Sequence, residues 1–342
     1  MKQIKDVRPL KEKRFKHTPL SVLDLAAINE GSGADESFKR SVELARHTEK
    51  LGFRRYWVAE HHNMPGIASS ATAVLIGHIA GATESIRVGA GGIMLPNHAP
   101  LVIAEQFGTL EAMYPGRIDL GLGRAPGSDQ ATAYALRRTL HSSAEQFPEQ
   151  VEELEGYFRG TERVRAFPGE GQDVPIWLLG SSGFSAQLAA VKGLPFAFAS
   201  HFSPDYTMQA LQLYRQNFRP SEVLDEPYAM VGVNVIAADT EERARVLATS
   251  QQQQMFALMR GMPMPFQPPV ENVAEAWTDR ERAIFEQTLA SEANMFGTPD
   301  QVRGKLSAFI EKTAADEVIV NSAVFHHEER LRSYSYIAEM MD

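Results

Sequence analysis

Val174-Pro175-Ile176-Trp177-Leu178-Leu179-Gly180-Ser181-Ser182-Gly183-Phe184-Ser185-Ala186-Gln187-Leu188-Ala189-Ala190-Val191 contains the pattern that recurs along this chain. Val174–Leu179 is apolar throughout, as a strand is when both of its faces are buried. Phe184, Leu188 and Val191 then recur at helical spacing, and the glycine–serine stretch between the halves is a turn signal. Toward the amino end the same unit predicts strands at Pro19–Leu25, Phe53–Glu60, Ile86–Leu95 and Arg117–Leu122. The helices between them fall at Asp35–Leu51, Ser70–Thr83, Leu101–Met113 and Pro148–Phe158. Toward the carboxyl end it predicts strands at Phe196–Ala199, Met230–Ala237 and Glu317–Asn321, with helices at Asp205–Gln216, Glu241–Met255 and Pro299–Lys312. Strands alternating with helices build a parallel α/β sheet. Eight such units favour a closed (β/α)8 TIM barrel with long βα-loop insertions, and residues 1–342 read as one barrel domain.

The bulk composition agrees. A length of 342 residues fits one barrel of about 250 residues plus insertions. Hydrophobic residues at 44% and charged residues at 23% describe a globular chain. The sequence has no cysteine, which excludes disulfides, cysteine-ligated metals and a cysteine nucleophile, and fits a reducing cytoplasm. A net charge of −9 gives no general attraction to nucleic acid or anionic membrane. Residues 1–17 are locally basic (Lys2, Lys5, Arg8, Lys11, Lys13, Arg14, Lys16) and read as a solvated tail. No apolar run follows to make a secretory signal. Apolar stretches such as Ala73–Ala82 are too short to span a bilayer.

Two stretches read as irregular. Ala125–Glu145 is a long connection. Ala257–Ala293 is longer and contains Met262-Pro263-Met264-Pro265-Phe266-Gln267-Pro268-Pro269. A segment of that length is either an active-site lid or a surface excursion. Beyond it, Thr298-Pro299-Asp300-Gln301 has the spacing of a capping box with proline at the first helical position.

Barrel enzymes carry their sites at the carboxyl ends of the strands, and the unusual residues cluster there. The second strand ends in Glu60-His61-His62-Asn63 and the third contains Gly91-Gly92. The fourth ends in Gly121-Leu122-Gly123-Arg124, the fifth in Gly180-Ser181-Ser182-Gly183, and the sixth in Ser200-His201. Histidine titrates near neutral pH and moves protons, or sits buried and satisfied by backbone. Glycines inside a strand mark a bulge, the close approach of a ligand, or tight packing. Serines at a helix start with an arginine on the neighbouring strand suit a phosphate, or Ser182 is an ordinary N-cap. No metal-ligand spacing is present, and the glycines near Arg124 do not form a dinucleotide fingerprint.

At these residues the chain resembles a known family. Tyr56-Trp57-Val58-Ala59-Glu60-His61-His62, Val88-Gly89-Ala90-Gly91-Gly92-Ile93-Met94-Leu95-Pro96, Gly116-Arg117-Ile118-Asp119-Leu120-Gly121-Leu122-Gly123-Arg124 and Gly297-Thr298-Pro299 look like strings of the bacterial luciferase-like monooxygenases. The likeness is to the broad flavin monooxygenase group. Ser181, Ala199 and Ser200 depart from residues distinctive of its light-emitting members. The resemblance implies FMN, used in its reduced form as a co-substrate delivered by a separate flavin reductase, with O2 and a small organic substrate. It implies that His61 lies beside the reactive flavin edge as the catalytic residue. Gly91–Gly92 would form a non-proline cis peptide in a bulge beneath the ring, and Arg124, Ser181, Ser182 and Ser185 would contact the phosphate. Glu60 is grouped with these cofactor-binding residues. A homodimer formed through helices of the second and third units is also implied. An F420-dependent hydride-transfer enzyme shares the barrel and the bulge, a non-catalytic flavin-binding protein is a rival of another class, and a metal-dependent barrel hydrolase is a third.

Overall fold

Eight parallel strands close on themselves in the computed structural model, which describes residues 14–125, 130–137 and 144–341. Strands are numbered in chain order: β1 (Arg14–Phe15), β2 (Thr18–Asp24), β3 (Arg55–Val58), β4 (Arg87–Met94), β5 (Ile118–Gly123), β6 (Ile176–Gly180), β7 (Phe196–Phe198), β8 (Ala229–Ala237), β9 (Asn294–Gly297) and β10 (Glu317–Asn321). The barrel runs β2 to β8 in order, then β10. It closes where β10 pairs with β2 and β2 with β3, all in parallel. The expected (β/α)8 barrel is therefore the observed fold. Its strands are buried along nearly their whole length, which is why they read as unbroken apolar runs.

Helix ends follow local chemistry. The helix Ala34–Leu51 stops at Gly52, whose φ of 92° lies in the left-handed region that glycine adopts without strain. The expected capping box is present: the Thr298 hydroxyl accepts from the Gln301 N–H, and the Gln301 side chain accepts from the Thr298 N–H. Replacing Thr298 by alanine should therefore cost about 1 kcal/mol, read as a shift in denaturation midpoint.

Four expectations need correction. Ala257–Ala293 is irregular only in part, over Arg260–Asn272 with its Pro-rich run. The helix before it runs to Met259, and a further helix, Asp279–Ala290, begins with its own Thr278–Glu281 capping box. Trp277 and Phe285 on this excursion pack with Ile236, Leu247 and Phe296 in a small cluster separate from the main core. β9, which pairs with the carboxyl half of β8, and the closing helix His327–Ala338 were not expected. Of the basic tail, residues 1–13 lie outside the described residues, but 14–17 are no solvated tail. Arg14 and Phe15 pair antiparallel with Pro19 and Thr18, and Phe15 is buried. Finally, the Ala125–Glu145 connection contains a helix at Gln130–Arg137, and the rest of it lies mostly outside the described residues.

The amino end of the barrel is plugged. Arg55, which opens β3, donates to Asp119 at 2.8 Å and to Glu317 at 2.9 Å. Arg87, which opens β4, meets the same Asp119 at 2.7 Å. Above this layer Trp57 and Trp177 meet edge to face at 5.2 Å, and Trp177 meets Tyr228 at 5.6 Å. Among the described residues these layers fill the amino end, so the carboxyl ends of the strands are the open side of the barrel. Among the described residues no helix is long and apolar enough to cross a membrane.

Candidate active site

Glu60 organises one side of the open rim. Its carboxylate is fully buried, just beyond the end of β3. His62 Nε2 and His98 Nε2 each lie 2.8 Å from Glu60 Oε1, and the Met94 N–H donates to Oε2 at 3.1 Å. Burial alone would raise the Glu60 pKa. The hydrogen bonds from His98, His62 and Met94 outweigh it and hold the carboxyl below its ordinary range. With the carboxylate ionised, each imidazole donates through Nε2. Asp24, Asp119 and Glu317 are buried against arginines, whereas Glu60 is met by two imidazoles and a backbone N–H. Glu60, His62 and His98 also place ligand atoms within 4.8 Å of one another, a spacing compatible with metal coordination that sequence separation did not reveal. His61, between Glu60 and His62 in the chain, is partly buried at the same rim.

The Gly91–Gly92 peptide bond is cis. The β4–β5 register slips across it: Ala90 pairs with Leu120, but Ile93 pairs with Leu122, so β4 carries one extra residue as a bulge. The structure also explains the glycines. A Cβ on Gly91 would lie 3.0 Å from Leu23 Cδ1 and 3.1 Å from Trp57 Cβ. One on Gly92 would lie 2.6 Å from the Gly121 carbonyl oxygen. Of the readings left open by sequence, the bulge is observed, and close packing inside the barrel leaves no room for a Cβ at either glycine.

On the opposite side, β6 ends at Gly180 and the helix Gly183–Lys192 begins with Ser182 in the N-cap position. The Ser182 side chain makes no cap hydrogen bond. Ordinary capping is thus not what this hydroxyl does. Ser181 and Ser182 are exposed and Ser185 is buried. Arg124, just beyond the end of β5, sets its guanidinium carbon 4.2 Å from the centre of the Phe184 ring, which brings a cation over the first turn of the same helix. The structure thus sets Arg124 against Phe184, which lies between Ser182 and Ser185 in the chain.

The end of β7 holds a pair that the sequence put on the rim but gave no role. Ser200 Oγ and His201 Nδ1 are buried without a hydrogen-bond partner among the described residues. Burial pushes the His201 pKa down to about 4, so this imidazole is neutral at physiological pH. The neighbouring Phe202 ring, 4.7 Å away, is 69% exposed. Strand-end position was the only sequence signal here, because burial of a particular atom is set by packing from other strands.

With this geometry in place, the chain can be compared with known proteins. A family model described as luciferase-like monooxygenase matches residues 18–317. A protein of Escherichia coli (strain K12) named luciferase-like monooxygenase is 52% identical over 325 residues, covering 94% of this chain and 96% of the relative. The crystal structure of apo-MsnO8 is 33% identical and superposes with a TM-score of 0.84, over 95% of this chain and 98% of that one. The oxygenating constituent of 3,6-diketocamphane monooxygenase, from the CAM plasmid of Pseudomonas putida and solved in complex with FMN, is 17% identical. It shares the fold with a TM-score of 0.72, over 94% of this chain and 97% of that one.

Proposed function

Because the chain belongs to the luciferase-like monooxygenase family, we propose that it is an FMN-dependent monooxygenase, taking reduced flavin from a separate flavin reductase and using O2 to oxidise a small organic substrate. The observation that carries the cofactor assignment is the amino end of the helix Gly183–Lys192, where the N-cap hydroxyl is not spent on the helix itself. Backbone N–H groups at a helix start, two exposed serine hydroxyls and a guanidinium form a donor set suited to a phosphate monoester. A neighbour of the same fold was solved with FMN. In this reading Arg124, Ser181, Ser182 and Ser185 hold the phosphate, and the Gly91–Gly92 bulge supports the ring.

Reduced FMN, when bound, supplies the electrons that activate dioxygen, one oxygen atom entering the substrate and the other leaving as water. The chain supplies the setting. His61 holds or releases a proton at the flavin edge. Glu60 acts through others: by fixing His62 and His98 it sets the shape of the rim around His61. The tryptophan floor keeps water from entering below. The Pro-rich excursion acts as a lid. Its Phe266 exchanges backbone hydrogen bonds with the segment after β2 (Phe266 N–H to Ile28 O, Glu30 N–H to Phe266 O, each 2.8 Å), and its ring stacks on Phe325. The exposed Phe202 beside neutral His201 favours an apolar substrate.

Stopped-flow mixing of protein and reduced FMN with oxygenated buffer, with F420 in parallel, tests the assignment. Flavin oxidation on a time course set by the protein supports it. The free-flavin time course, or binding of F420 alone, rejects it. Ser182→Ala should weaken FMN binding about tenfold by fluorescence titration with no loss of thermal stability, since no cap bond is removed. A homodimer is supported by exposed Val74 on the helix Thr72–Ala82 and by exposed Val102 and Met113 on the helix Pro100–Met113. Sedimentation should give twice the chain mass.

A further inference from the structure

Asparagines stand side by side on adjacent strands at the open end of the barrel. Asn321 on β10 pairs in register with Asn234 on β8, and Asn234 pairs with Asn294 on β9. Their side chains form a chain of amides. Asn321 Nδ2 donates to Asn234 Oδ1 at 2.8 Å, Asn234 Nδ2 to Asn294 Oδ1 at 2.8 Å, and Asn294 Nδ2 to the Thr288 carbonyl at 2.7 Å. The oxygen and nitrogen of an amide are told apart by their partners. A backbone carbonyl only accepts, so Thr288 fixes Asn294 as a donor, Asn294 then fixes Asn234, and Asn234 fixes Asn321. The oxygen at the head of the chain is Asn321 Oδ1, to which no group among the described residues donates. Asn321 is 9% exposed, and its side chain faces the cup. Glu317 and Ile319 precede it at two-residue spacing on the same face of β10: Glu317 accepts from Arg55 in the closed end, and Ile319 packs with Trp57 and Trp177.

We propose that Asn321 orients the flavin by accepting a hydrogen bond from a ring N–H, and that Asn234 and Asn294 are positioning residues that hold it as an acceptor. The inference rests on the FMN reading above. The Gly91–Gly92 bulge and Asn321 share a neighbour. Leu23 pairs in register with Asn321, and its Cδ1 lies 3.0 Å from where a Cβ on Gly91 would be. A ring resting on the bulge is thus one side chain away from this oxygen. A guest that covers the oxygen takes it from water, and a guest without a donor there leaves a buried acceptor unpaired. Oxidised flavin has a single ring N–H, the imide between its two carbonyls, and reduction adds others, N5–H among them. The remaining heteroatoms of that edge are acceptors, which Asn321 Oδ1 repels. The amide chain therefore selects the ring orientation that points an N–H at β10. Its far end is a carbonyl of the helix Asp279–Ala290, so the excursion helps to fix the acceptor.

The test uses full-length protein with FMN isotopically labelled at its ring nitrogens, first oxidised and then reduced in the absence of oxygen. NMR of the ring N–H protons reads the hydrogen bond directly. The expected result is one ring N–H shifted downfield and protected from solvent exchange, and its position, imide or N5, identifies the donor. Asn321→Ala should remove the protection and weaken FMN binding about tenfold. Asn294→Ala, which cuts the chain at its anchor, should reduce the protection with Asn321 still in place. Asn321→Ser serves if the alanine variant folds poorly. A purely structural role would lower thermal stability in these variants without changing exchange of the labelled proton. Ring N–H protons that exchange as in free FMN, or protection that survives Asn321→Ala, would overturn the inference alone. Protein that binds FMN in neither redox state would overturn the cofactor assignment, and the inference with it.

Discussion

Replacing His61 with alanine is expected to lower turnover by about two to four orders of magnitude, the range that a positioned acid–base group contributes, while FMN affinity stays within about threefold. The separation follows from the architecture. His61 leaves the barrel after β3, whereas Arg124, Ser181, Ser182 and Ser185 follow β5 and β6. The two sets reach one rim from separate units, so removing an imidazole from the first leaves the donors of the second in place. Flavin titration and steady-state oxygen uptake on the same preparation measure the two quantities. Parallel loss of both would mean that His61 binds rather than reacts, and would favour a flavin carrier over an enzyme.

The largest stability effect is expected at the closed end. Asp119→Ala would leave the buried guanidinium groups of Arg55 and Arg87 facing the space of a missing carboxylate. Breaking a buried pair from one side costs about 3–5 kcal/mol, and urea denaturation would show it directly. The same residue gives a pH signature. Burial opposes the Asp119 charge, but Arg55 and Arg87 outweigh it and hold its carboxyl far below the ordinary carboxylate range. A depressed carboxyl contributes its stability in full above its unfolded value of 3.8, and that contribution is lost as pH falls below it. Wild-type stability should therefore fall steeply below about pH 4, and the Asp119→Ala variant should show a shallower fall over that window.

How far the sequence could be read depended on the range of each interaction. Strand–helix alternation and capping are local, and the eight barrel strands and the Thr298 cap were expected close to where they stand. The cis bond at Gly91–Gly92 was expected only through family resemblance, since no local property separates it from a trans bulge. The Arg55–Asp119 and Arg55–Glu317 pairs join residues 64 and 262 positions apart, and no pattern in a single sequence links them. Glu60 was grouped with the cofactor contacts because it adjoins His61. Its bond to His98, 38 positions away, is a long-range contact that no local pattern reveals. The helix Asp279–Ala290 was missed for another reason. Its Thr278–Glu281 cap was legible, but the Pro-rich run before it dominated the reading of the whole excursion.

The excursion's separate anchorage has a bearing on how such proteins diversify. Trp277 and Phe285 seat it on a cluster shared with the ends of β8 and β9, apart from the main core. Mutations in its helical part therefore act first on this small cluster, while the plugged, arginine-bound end holds the barrel together. The two ends of such a molecule can thus change independently: the rim can be recast without disturbing the layer that closes the cup beneath it.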